Sequence, residues 1–383
     1  MSQKIPDEYV GGGRYHQPQR TRRGPLLLVV GVVVTALVGL AIVAAGWKSG
    51  GDNGGSASEE DRSGGIYELP VVVGAVPYWD EEEARRTIEN QGPQIDVASP
   101  WSYAVTKTGA VELQPDLKAE GEAELTARLH ELGMKVIPTI ANTTSGLWDT
   151  DTISAVIGNP SLREAHVNAV VALIQDKNLD GIQIDYEDLP AADREYFSSF
   201  VTELGAAIHN IDKLLYVTVH VKEDDAGYDD RNKSQDYAAI GNAADMVCLM
   251  AYDWHWSTGP AGPIAPYDWV DRVLRYSVTQ IPPEKILLGV GLFGYDWVGT
   301  TATNLTWRQV VALAAQYQTD EKWDVGAQSP HFNYSVDGVD HEVWYEDGRS
   351  AAQKFDLARR YRLGGVELWR LGGEDPSIWK PGP

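Results

Sequence analysis

The chain has 383 residues, 43% of them hydrophobic, enough to fill the core of a domain as large as a (β/α)8 barrel, which takes about 250 residues. Its 55 acidic and 32 basic side chains give a formal net charge of -23 and a pI near 4.7, so it repels nucleic acid and anionic surfaces and suits a neutral ligand better. The single cysteine, Cys248, excludes an intramolecular disulfide, and the eight histidines show no HExxH-type spacing, so no catalytic metal and no other cofactor is expected.

Residues 1–24 are polar and end in Arg20, Arg22 and Arg23. Residues 25–47 carry no charge and are dense in Leu, Val, Ala and Gly. Roughly 20 apolar residues cross a bilayer as a helix, so this run predicts a single transmembrane anchor. The arginines before it would hold the N-terminus in the cytoplasm and put the C-terminal bulk outside the cell. A secretory signal, cut after residues 43–45, is the competing reading; its apolar core would be only about 7–15 residues. Residues 48–65 are mostly Gly, Ser, Asp and Glu, a flexible tether. A folded domain is expected over 66–383.

Within that domain short β-branched runs alternate with helical patterns. Strands are predicted over 70–77, 95–100, 135–140, 181–186, 215–221, 246–252, 286–293 and 365–369. Helices lie between them; over 161–177, Leu162, His166, Val170, Leu173 and Ile174 recur near a 3.6-residue period. The fold class is therefore α/β, a closed parallel (β/α)8 TIM barrel. The competing open doubly wound sheet lacks any GxGxxG or GxxxxGK[ST] after its first strand. Between Phe293 and the last helix, at 350–361, the chain is too long for a simple crossover. That stretch holds a helix pattern over 307–318 and alternating segments at 332–334 and 341–344, which predicts a small insertion at about 296–347.

The most informative run is Asp180-Gly181-Ile182-Gln183-Ile184-Asp185-Tyr186-Glu187. Side chains alternate along a strand, so Ile182, Ile184 and Tyr186 share one face while Gln183, Asp185 and Glu187 share the other. In a barrel the apolar set packs on helices and the polar set points inward, at the C-terminal mouth where barrel active sites lie. If Asp185 is ionised, its field raises the pKa of Glu187, as a general acid requires near neutral pH. A solvated pair of acids at a strand end is the plainer reading of the same spacing.

This run resembles the DGxDxDxE signature of family 18 glycoside hydrolases. The resemblance continues in order through Met250-Ala251-Tyr252-Asp253, through Lys285–Val290 followed by Phe293-Gly294-Tyr295, and through Gly364-Gly365-Val366-Glu367-Leu368-Trp369. It covers about residues 68–380. The stretches Val343–Asp347 and Trp369–Asp375 are most similar to the branch containing spore-cortex-fragment hydrolases. The resemblance implies a substrate-assisted, retaining hydrolysis of β-linked N-acetylglucosamine glycans without an enzyme nucleophile. Glu187 would be the acid and base, Asp185 would hold the acetamido N–H, Tyr252 would bond the acetamido carbonyl, and Trp369 would be the stacking floor. Gln183 stands where the family has Asp; it retains the ability to hydrogen-bond Asp185 but cannot ionise.

Other features weigh less. Of 13 tryptophans, Trp79, Trp101, Trp254 and Trp256 follow candidate strands. Tyr78, Trp79 and Trp254, with Gln183 and Asp253, are expected to contact sugar, whereas Trp307 and Trp323 pack the insertion. Glu223, Asp224, Asp225, Asp229 and Asp230 read as a solvated acidic loop after strand 5, since EF-hand spacing is absent. Asn142, Asn232, Asn304 and Asn333 begin N-x-[ST] triplets. Together these readings predict an anchored, extracytoplasmic, monomeric glycosidase acting on peptidoglycan fragments first and chitin-type oligomers second. A lectin-like barrel that binds glycan without cutting it is the alternative.

Overall fold

In a computed structural model of the chain, the described residues are Ile66 and residues 69–380. Eight parallel strands form the centre: β1 (Val72–Pro77), β2 (Val97–Val105), β3 in two pieces (Lys135–Val136 and Thr139–Ala141), β4 (Gly181–Asp185), β5 (Leu214–His220), β6 (Met246–Met250), β7 (Ile286–Gly291) and β8 (Gly365–Trp369). Each pairs with the next, and β1 pairs with both β2 and β8, which closes the ring. The barrel and each of its eight strands stand where the hydrophobic runs predict them. Pro138 explains the break in β3, since proline cannot donate to the ladder.

The inner and outer faces have separate cores. Inside, Val73, Val97, Ile137, Tyr216, Cys248 and Leu287 plug the barrel floor. Outside, Ile182, Ile184 and Tyr186 pack into the large core beneath the helices. The helix Pro160–Asp176 starts on Asn159, whose Oδ1 accepts from the Ser161 and Leu162 N–H groups, with Pro160 in the first turn. Its buried His166 bridges the Gly109 carbonyl (2.8 Å) and the Tyr186 hydroxyl (2.5 Å). The helix thus holds the outer face of the strand whose inner face carries the acids.

Between β7 and the helix Gly348–Tyr361 the chain builds a five-stranded antiparallel sheet, from Gly294–Val298 through Val339–Tyr345. The helix Trp307–Tyr317 covers it over a small core of Leu305, Val310, Phe332, Val343 and Tyr345.

The anchor expected over 25–47, with its flanking tail and tether, lies outside the described residues. Among the described residues no helix is long and apolar enough to cross a membrane. The helix Pro160–Asp176 has 17 residues and carries Arg163 and Glu164, against the roughly 20 apolar residues a bilayer needs. The single-pass membrane localisation drawn from the sequence is corrected accordingly.

Candidate active site

Strand alternation puts Gln183, Asp185 and Glu187 on the inward face at the C-terminal mouth, and all three are buried. Glu187 is fixed through its backbone. Its N–H donates to Asn142 Oδ1 at 2.8 Å, and Asn142 Nδ2 donates to its carbonyl at 3.0 Å. Asp188 then takes a left-handed φ of 57°, which Asp tolerates, and turns the chain out of the barrel. Trp101 Nε1 donates to Asp185 Oδ2 at 3.2 Å. A bulge in β2 after Trp101 sends Tyr103 outward to Glu122 at 2.7 Å, so Trp101 keeps its inward aim.

Among the described residues three buried carboxylate oxygens find no hydrogen-bond partner: Asp185 Oδ1, Glu187 Oε2 and Asp253 Oδ2. Buried polar atoms are normally paired, so this cluster is built for something other than stability. Burial pushes Glu187 well above the usual carboxylate range, and the charges of Asp185, Asp188 and Asp253 add to it against Arg231. Burial also lifts Asp185 to about 7, opposed by the Trp101 bond and reinforced by Glu367. Asp253 is lifted by burial to about 8 despite the Tyr295 hydroxyl, which donates to its Oδ1 at 3.0 Å. His220, at the end of β5, has Nε2 3.7 Å from Glu187 Oε2, beyond hydrogen-bond reach. Burial and the Arg231 charge hold this ring neutral, near 3.

Tyr252, just past β6, meets Phe293 edge to face. A Cβ at Gly289 would stand 3.2 Å from the Tyr252 ring and 2.4 Å from the Leu249 carbonyl, so glycine there gives the tyrosine its place. Asp185, Glu187, Gln183, Tyr252 and Trp369 line one narrow cleft, whose enclosed volume of about 20 Å³ is room for little more than a water. Its rim is aromatic. Tyr78 stacks on Trp101, and Trp79 touches both Trp101 and Trp369, with centroids 5.5 to 6.3 Å apart.

The arrangement is an acid whose burial favours its protonated form, a second carboxyl beside it, and aromatic walls suited to sugar faces. Residues 74–374 match glycosyl hydrolases family 18. The chain belongs to this family. It is 31% identical to the cortical fragment-lytic enzyme of Bacillus anthracis over 75% of this chain and 67% of that protein. The structure of a chitinase from Chromobacterium violaceum superposes with a TM-score of 0.76 at 31% identity, covering 81% of this chain and 96% of that one. For the Bacillus cereus spore cortex-lytic enzyme SleL the values are 0.74 and 26%, over 81% and 72%. The chain is a family 18 glycoside hydrolase, similar to the spore-cortex branch.

This family 18 barrel does not gather every residue singled out in the sequence. Tyr78 and Trp79 stand on the rim, and Asp253 sits behind Tyr252, held by Tyr295 from the insertion. Trp254 instead packs on Trp269 and Tyr228, apart from the aromatic wall. Gln183 lines the cavity but does not bond Asp185. Its Oε1 accepts from Ser99 at 2.9 Å, and its Nε2 donates to Thr218 at 2.8 Å and to both Glu367 oxygens at 2.9 and 3.0 Å.

The sequence reading missed Asn142, Thr218, His220 and Glu367. Thr218 and Glu367 point inward from within their strands, and His220 and Asn142 stand at or just past a strand end, so the alternation rule applied to every strand would have found them. The acidic loop is exposed at Asp224, Asp225 and Asp230, as expected, and is also braced by cations: Asp225 by Lys222 and Arg194, Glu223 by Arg272, Asp229 by Arg231.

Proposed function

We propose that this hydrolase cleaves β-linked N-acetylglucosamine glycans with retention, by substrate assistance, with Glu187 as acid and then base. The observation that carries the reading is Glu187 itself: buried, backbone-pinned, and with an unpaired carboxyl oxygen facing the cavity beside Asp185.

In the first step Glu187 gives its proton to the glycosidic oxygen, which leaves with the electron pair of the C1–O bond. A lone pair of the 2-acetamido oxygen forms the new bond to C1 from the opposite face. Asp185, as an anion, accepts the acetamido N–H and stabilises the positive charge of the oxazolinium-like ring. The Tyr252 hydroxyl donates to the acetamido oxygen, and Trp369 gives the sugar a flat apolar face to stack on. In the second step the Glu187 carboxylate takes a proton from water, whose oxygen attacks C1 and returns the ring oxygen to the acetamide. Two inversions leave the anomeric centre retained.

In this reading the acetamido group enters the cleft between Asp185 and Tyr252, and the glycan lies along the aromatic rim. The cortical fragment-lytic relative favours peptidoglycan fragments, and the chitinase neighbour makes chitin-type oligomers the second choice. The test is proton NMR of fresh products from N-acetylglucosamine oligomers, beside oligomers bearing a 2-trifluoroacetamido group. The β-anomer should appear first, and the weaker trifluoroacetamido nucleophile should lower kcat at least tenfold. An initial α-anomer, or equal rates on both substrates, would overturn the mechanism.

A further inference from the structure

Glu367 has no part in the steps above, yet it is buried inside the barrel. It projects from β8, which lies diametrically opposite β4, with three strands between them in either direction. The Gln183 amide spans that distance and donates to both Glu367 oxygens. Gln reaches one methylene further than Asn, which lets an amide rooted on β4 meet a carboxylate rooted across the barrel. The Cys248 thiol from β6 supplies a further hydrogen bond. Both partners are neutral. Burial raises the Glu367 pKa while the Cys248 and Gln183 bonds pull it back toward the anion, and an apolar residue would serve the barrel core better.

The groups that face Glu367 are Cys248 from β6, Tyr216 from β5, Asp185 from β4 and Tyr252 beyond β6. Those that face Asp185 are Trp101, Glu367, Glu187, Cys248 and Tyr252. None of them is a cation. Glu367 and Asp185 line the same cavity, so the negative charge of one is felt by the other through a dry, weakly screened space.

We propose that Glu367 is a positioning residue: a second carboxylate, held on the barrel axis by Gln183, whose charge governs the pH at which Asp185 becomes the anion the reaction uses. This rests on the proposed role of Asp185. Gln183 then holds Glu367 through a neutral contact; a third ionisable group there would compete for the same proton.

The test is the pH profile of kcat for the full-length protein and Glu367→Gln on N-acetylglucosamine oligomers. Gln still accepts from Gln183, so the variant removes charge and keeps shape. Without that charge Asp185 ionises more readily, so the acidic limb should move down by about one pH unit while the alkaline limb stays. A superimposable profile would overturn the proposal and leave Glu367 structural. If Glu367→Gln does not fold, Glu367→Asp keeps the charge and breaks the Gln183 contact. Its acidic limb should stay in place while kcat falls; a limb that moved down would overturn the proposal. Glu187→Gln runs beside both. Full activity there would sink the catalytic reading itself, whereas an inactive Glu187→Gln with an unmoved Glu367→Gln profile would sink only this proposal.

Discussion

Asp253 shows what the mouth acids cost. Its folded pKa, near 8, lies far above the unfolded value near 3.8, so the folded state holds a proton that the unfolded state releases. Stability from that proton is present below about pH 4 and is lost as pH rises toward 8. Asp253→Asn removes the titration and keeps the shape. Thermal melts should show little change near pH 4 and a gain of about 3 kcal/mol at pH 9, with activity reduced. An equal effect at both pH values would contradict the buried, protonated acid. The same sign applies to Asp185 and Glu187, both also raised. The proposed mechanism needs Glu187 protonated, so activity should fade as pH climbs through its raised pKa; it needs Asp185 ionised, so activity should fade as pH falls below about 7. The set titrates as a unit, so the limbs of that bell belong to the cluster.

At the scale of elements, the strands were legible because each is buried on both faces and reads as a β-branched run. The polar alternation on β4 was legible for the same reason: Gln183, Asp185 and Glu187 interrupt an otherwise apolar strand. The partners of those residues were not. Gln183 and Glu367 stand 184 positions apart, and only barrel closure brings them together. Asn142 reads as an ordinary polar residue after a strand, yet it carries the β3-to-β4 tie that sets the height of Glu187. Asn142→Ala leaves a buried N–H and carbonyl without partners, a loss of about 1–3 kcal/mol. With the acid no longer held, kcat should fall about tenfold or more with KM little changed. A variant with wild-type kcat would show that Glu187 is positioned by its own strand alone.

For the whole molecule, the insertion is part of the site's support. Tyr295, on its first strand, donates to Asp253, so the sheet added after β7 reaches back to the mouth. Its length, a helix pattern and alternating segments revealed that insertion in the sequence; its contact with Asp253 did not show. The net charge of -23 acts at a longer range. It should disfavour approach of glycans that carry carboxylates, such as muropeptides, and leave neutral chitin oligomers unaffected. Raising salt from about 20 to about 300 mM shortens the screening length and should lower KM for muropeptides severalfold, with no change for chitin oligomers. Parallel responses would contradict a steering role for that charge.

The central claim rests on Glu187, and the most direct test compares the full-length protein with Glu187→Gln on muropeptides and N-acetylglucosamine oligomers, with products followed by mass spectrometry. The expected result is cleavage by the native chain and a loss of about 100-fold to 10,000-fold in the folded variant. Equal cleavage by both would place the acid on another residue, and binding without cleavage by either would contradict the catalytic account of the site.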